Sequence, residues 1–120
     1  MYEYIRFKIG GYFTGDRSID IKANGRHYDV SKTVRRRGSD KTESFKCTDV
    51  PMDDWARQFM GLHVEKWKKR YYEPIKDGTN WSLEYKLRGR DPVAVEGSNG
   101  YPENWQDFKL VMKDLEKLFR

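Results

Sequence analysis

The 120 residues predict an α+β fold: an antiparallel sheet of about five strands with two helices packed on one face. Three observations carry that expectation. From Trp81 to Leu87 the large apolar residues Trp, Leu, Tyr and Leu fall on every second position, the period of a strand with one face on a core. From Trp105 to Phe119 apolar residues recur at steps of three and four, the period of a helix with one buried stripe. Asn24-Gly25, set between two alternating runs, is the strongest short hairpin signal a sequence offers.

Taken in order, residues 2–9 place Ile5, Phe7 and Ile9 on one side and Arg6 and Lys8 on the other, which predicts a first strand. Gly10-Gly11 breaks or bulges it, Tyr12-Phe13 offers an extension, and Gly15-Asp16 turns the chain. Ile19, Ile21 and Ala23 mark a second strand, and Tyr28 and Val30 a third beyond the Asn-Gly turn. Between Lys32 and Thr48 the alternation fades. The segment Arg35-Arg36-Arg37-Gly38-Ser39-Asp40-Lys41 reads either as an exposed loop or as the tip of a longer hairpin, with Phe45 and Cys47 on a short returning strand.

Pro51 then opens a helix whose first turn carries Asp53 and Asp54 and whose buried stripe is Trp55 and Phe59, joined by Met52 and Leu62. Gly61 marks its end. In the basic segment Glu65 to Arg70 only Val64 and Trp67 supply apolar positions nearby, and no element type follows from them. Lys76-Asp77-Gly78-Thr79 is a turn into the strand at Trp81, and Val93 and Val95 form its return arm. Pro102 suits the first turn of the last helix, and Glu103 and Asp107 its positive end. Gly97, Asn99 and Gly100 suit left-handed backbone in the tight connection before it.

The C-terminal half carries a resemblance. Trp67, Asp77-Gly78, Trp81-Ser82-Leu83 and the run Gly97-Ser98-Asn99-Gly100-Tyr101-Pro102-Glu103-Asn104-Trp105-Gln106-Asp107-Phe108 are similar to a small bacterial domain family common in Firmicutes. That family is marked by a Trp, then Asp-Gly-x-x-Trp-x-Leu, then Gly-x-Asn-x-Tyr-Pro-x-Asn-Trp-x-x-Phe. The resemblance implies a shared fold and, since the family is uncharacterised, no activity.

Length is that of a single domain, residues 1–120. No apolar run spans a bilayer and no signal peptide opens the chain, so a cytoplasmic protein without membrane contact is expected. One cysteine, Cys47, agrees with a reducing compartment. The net charge of +5 is uneven: residues 1–50 hold eleven Lys or Arg against seven Asp or Glu, and residues 51–120 hold thirteen against twelve. Such a basic bias favours an acidic partner.

Catalytic signatures are not found. His27, His63 and Cys47 are isolated and make no metal-ligand spacing, and Gly97-Ser98-Asn99-Gly100 lacks the Lys and Ser or Thr of a phosphate loop. No enzyme activity, metal or cofactor is expected. The candidate partner-binding residues are Arg35, Arg36, Arg37 and Lys41, with Lys66, Lys68, Lys69 and Arg70 around Trp67 and Tyr71-Tyr72. The expected function is non-enzymatic binding through the basic N-terminal half, to an acidic protein surface or a nucleoprotein complex, with weak direct contact to nucleic acid. By analogy alone, such a protein fits a phage or mobile-element inhibitor of a host nucleic-acid machine, as anti-CRISPR proteins are. The alternatives are a direct nucleic-acid-binding protein and a small-ligand or enzyme module built on the Gly97 to Tyr101 loop.

Overall fold

The computed structural model describes residues 2–11, 15–74 and 78–119. Among these residues seven strands form one sheet: β1 (Tyr2–Gly11), β2 (Gly15–Asn24), β3 (His27–Arg35), β4 (Thr42–Val50), β5 (Arg70–Tyr72), β6 (Thr79–Leu87) and β7 (Val93–Ser98). Their spatial order is β4-β3-β2-β1-β6-β7-β5. Two helices, α1 (Asp53–Met60) and α2 (Trp105–Asp114), and two 3-10 turns, Val64–Lys66 and Leu115–Phe119, complete the fold. No helix among the described residues is long and apolar enough to cross a membrane.

The α+β class agrees with expectation, but the antiparallel sheet of about five strands does not: the sheet has seven strands and is mixed, because β5 runs parallel to β7. Both extra strands lie at its edges, for different reasons. From Thr42 to Lys46, β4 is exposed at every residue, so no buried face imposes an alternation on its sequence. The longer hairpin is the alternative realised, with β3 running on to Arg35 opposite Thr42. The second extra strand, β5, is only three residues long and is held through backbone groups: Glu96 N–H donates to Lys69 O, and Glu73 N–H to Ser98 O, each at 2.9 Å. Backbone pairing of this length leaves no side-chain period to read. The proposed extension at Tyr12-Phe13 and the Lys76-Asp77 part of the turn lie outside the described residues.

Register puts the apolar positions of neighbouring strands on one face. Ile5 lies opposite Ile21 and Tyr85, Phe7 opposite Ile19 and Leu83, and Val95 opposite Leu83. Both helices cover this face: Phe108 of α2 meets Phe7 edge-on at 5.0 Å, and Phe59 of α1 meets Tyr2 at 5.3 Å. Phe59 and Phe108 are fully buried, and burying each such ring contributes roughly 1.5–3 kcal/mol. The Trp55 indole N–H donates to Val111 O at 2.9 Å and ties the helices together.

Within the same core, three of the four tryptophans gather. Trp81 of β6 and Trp105 of α2 lie 4.7 Å apart, and Trp67 meets Trp81 at 6.0 Å. Asn104 joins three segments, since its carbonyl accepts from the Trp67 indole at 2.9 Å and its amide donates to Leu62 O at 2.8 Å. The helix α2 starts at Trp105, so Pro102 stands ahead of it and accepts the Trp105 N–H in a turn.

Burial pushes the Tyr2 hydroxyl up to about 12, with Glu65 adding to the effect, and also raises Tyr28 and Tyr85. An unfolded tyrosine releases its proton near pH 10 whereas folded Tyr2 keeps it to about 12, so the native state holds more protons between those values and stability falls there as pH rises. A measurable loss of stability between about pH 10 and 12 is therefore expected. Tyr2→Phe should flatten the decline, as read by circular dichroism alongside tyrosinate absorbance; an unchanged pH profile in that variant refutes the assignment.

Candidate functional site

The basic triplet sits where β3 leaves the sheet, and it does not stand alone. At that end of the molecule a cleft of about 720 Å³ lies between α2 and the ends of β2, β3 and β4. Its floor is apolar, made by Ile9, Ile19, Val34, Phe45 and Met112. The rim carries Arg35, Arg36 and Arg37 from the hairpin, Arg17 from β2, and Lys109 and Lys113 from α2. Local rules explain each placement. Arg17 lies opposite Val34 in the β2–β3 ladder, and Lys109 and Lys113, four residues apart, share one helix face beside Met112.

Among the described residues seven cations, Lys32 included, line the cleft against three carboxylates, Asp16, Glu43 and Glu116. Two of those carboxylates have partners. Arg35 pairs with Asp16, and the partly buried Lys32 pairs with Glu116 while lying 5.7 Å from the ring centres of both Phe45 and Phe119. Lys32 thus stands on the helix-facing side of β3, and its ion pair is what permits a cation there.

The two basic groups singled out in the sequence are not brought together. Arg35–Arg37 and Lys41 belong to the β3–β4 hairpin, whereas Lys66, Lys68, Lys69 and Arg70 flank β5 at the opposite edge, five strands away. All eight are exposed. Arg70 lies 3.6 Å from Glu96, and Trp67 and Tyr71 belong to the tryptophan packing centre. Sequence reasoning missed Arg17, Lys109 and Lys113. The i, i+4 lysine pair on the polar side of a predicted helix was the available signal; the convergence with Arg17 needs the strand order.

Among the described residues no helix covers the opposite face of the sheet, which carries a larger cleft, about 1020 Å³, lined by Lys8, Ser18, Thr33, Asn80 and Ser82 and sharing Asp16, Arg17 and Arg35 with the smaller one. Several charges on that face stand in pairs. Arg6 lies 3.7 Å from Asp20 and 3.5 Å from Glu84, Lys86 lies 2.6 Å from Glu3, and the Tyr4 hydroxyl donates to Glu84 at 2.8 Å. That hydrogen bond raises the Tyr4 pKa. Among the described residues the charged lining of the larger cleft is Lys8, Arg17 and Arg35 against Asp16 and Glu96, with Arg35 paired to Asp16, so its sign is mixed; the smaller cleft, with its larger excess of cations, is the candidate site.

The remaining candidates have structural work. His27 meets Asp49 at 2.9 Å, His63 meets Glu65 at 3.0 Å, and the Cys47 thiol donates to Leu118 O at 3.2 Å. Asp29 takes the Asp49 N–H at 3.0 Å and the Asn24 amide at 3.2 Å, and these bonds hold its carboxyl below the usual range. Among the described residues no three His, Cys, Asp or Glu are placed to hold a metal ion. In the Gly97 to Tyr101 loop, the space beside Gly97 is filled by Trp81 and that beside Gly100 by the backbone of Tyr71. No protein-family model matches the chain, and no curated protein matches its sequence.

Proposed function

We propose that this is a non-enzymatic binding protein whose basic cleft holds an acidic protein surface, alone or within a nucleoprotein complex. The observation that carries it is the convergence of the hairpin arginines with Lys109 and Lys113 over an apolar floor. Cations ringing apolar ground match a partner that presents carboxylates around apolar side chains, where charge steers the encounter and the floor supplies contact that salt does not screen. A phosphate backbone uses the cations but leaves the floor idle.

Arg36→Glu/Lys109→Glu/Lys113→Glu reverses exposed positions and should leave the melting temperature within about 2 °C. Capture of a partner from nuclease-treated bacterial lysate should be lost in that variant, with affinity for the captured partner down about 30-fold. Lys66→Ala/Lys68→Ala/Lys69→Ala, at the far edge, should bind like the wild type. Direct nucleic-acid binding gives the opposite pattern: capture disappears with nuclease, naked DNA binds tightly at physiological salt, and neutralising about six phosphates gives a log–log salt slope near −5.

A further inference from the structure

We propose that β4 is a docking edge, on which an extended acidic segment of the partner adds as an eighth strand along the rim of the basic cleft. The inference rests on the reading of that cleft as the partner site. Among the described residues β4 has a neighbouring strand on one side only, so alternate residues direct N–H and C=O groups away from β3 into open space. The other edge, β5, has three residues and is too short to template a strand. Along β4 the ladder is regular from Thr42 to Cys47, and its bulge comes later, between the pairs Val30–Cys47 and Tyr28–Val50. Six consecutive residues of regular edge therefore stand open.

The two sides of that edge call for different side chains. On the helix side, Phe45 is 41% exposed and lies 6.2 Å from the ring of Phe119, with Cys47 beside Leu118. Glu43 shares that helix side; on the other stand Thr42, Ser44 and Lys46, with Lys41 next along the hairpin. An added strand with apolar residues facing the helices and carboxylates facing outward satisfies both, because its side chains alternate with the same period of two. A second copy of this chain is the poorer occupant, since each copy carries a net charge of +5.

The probe is the acetylated, amidated octapeptide (Glu-Val)4 carrying a fluorophore, titrated with the intact protein by anisotropy at low salt. Two further versions carry N-methyl groups, one on all Val nitrogens and one on all Glu nitrogens. A strand pairs along one edge through alternate residues, so one methylated version should bind at least tenfold more weakly and the other within about twofold of the parent. Amides within Thr42–Cys47 should exchange more slowly with the parent peptide bound. Equal affinity of all three peptides, or equal loss in both methylated versions, overturns strand addition. If Arg36→Glu/Lys109→Glu/Lys113→Glu still weakens the parent peptide in that case, the cleft reading survives. Absence of parent binding, or binding indifferent to Lys41→Glu/Lys46→Glu, which reverses the cations nearest the outward carboxylates, overturns the addition of an acidic strand. A concentration-dependent dimer of the protein that the peptide dissociates assigns the edge to a second copy and overturns the choice of occupant.

Discussion

Trp81→Ala should lower the unfolding free energy by about 3–5 kcal/mol, a large share of the roughly 5–15 kcal/mol that a domain of this size holds. Trp81 is 3% exposed and touches Trp105 at 4.7 Å, Trp67 at 6.0 Å and Tyr71 at 6.0 Å. Those neighbours are rigid rings fixed by their own contacts, so they collapse poorly into the space a missing indole leaves. The substitution also removes the indole donor from Gly100 O, a buried bond of 2.9 Å. The unpaired carbonyl, at about 1–3 kcal/mol, puts Trp81→Ala at the upper end of that range. Trp105→Ala should fall in the same range without the hydrogen-bond component. Urea unfolding followed by circular dichroism measures both, and a Trp81→Ala midpoint equal to that of the wild type refutes the placement.

What the sequence displayed was whatever burial writes into side-chain period. β1, β6 and α2 each have one dry face, and Ile5, Phe7, Leu83, Phe108 and Met112 announce it by their spacing. Edge strands have no such signature: β4 is wet on nearly every residue and β5 is held by main-chain bonds, so neither its length nor the parallel pairing of Arg70–Tyr72 with Glu96–Ser98 was visible. The basic triplet was legible as charge. Its neighbours were not, because Arg17, Arg36 and Lys113 meet only through the strand order and the crossing of α2 over it. Charge totals by halves of the chain do not display this convergence, since two of the rim cations come from α2 in the C-terminal half.

The glycines of the Gly97–Gly100 connection show the same limit and yield the second large effect. Left-handed backbone was expected of Gly97, Asn99 and Gly100, but only Asn99 adopts it, at φ 59°; the two glycines are required by space. A Cβ on Gly97 lies 2.2 Å from Trp81 Nε1 and 2.7 Å from Gly100 O. Neither neighbour yields easily, because the indole is buried and hydrogen-bonded to that same carbonyl. Gly97→Ala should therefore cost about 3 kcal/mol, the upper end of what overpacking costs. Gly38→Ala is the control: its Cβ meets nothing within 4 Å, so only the strain of its φ of 74° remains, about 1 kcal/mol. Trp81→Phe removes the indole atoms nearest the new methyl group. In that background Gly97→Ala should cost at least 1 kcal/mol less than it does alone, a coupling within the range found for residues in contact. Strictly additive losses in the double-mutant cycle, or a Gly97→Ala cost no larger than that of Gly38→Ala, would show that the glycine serves backbone conformation rather than the tryptophan lodged against it.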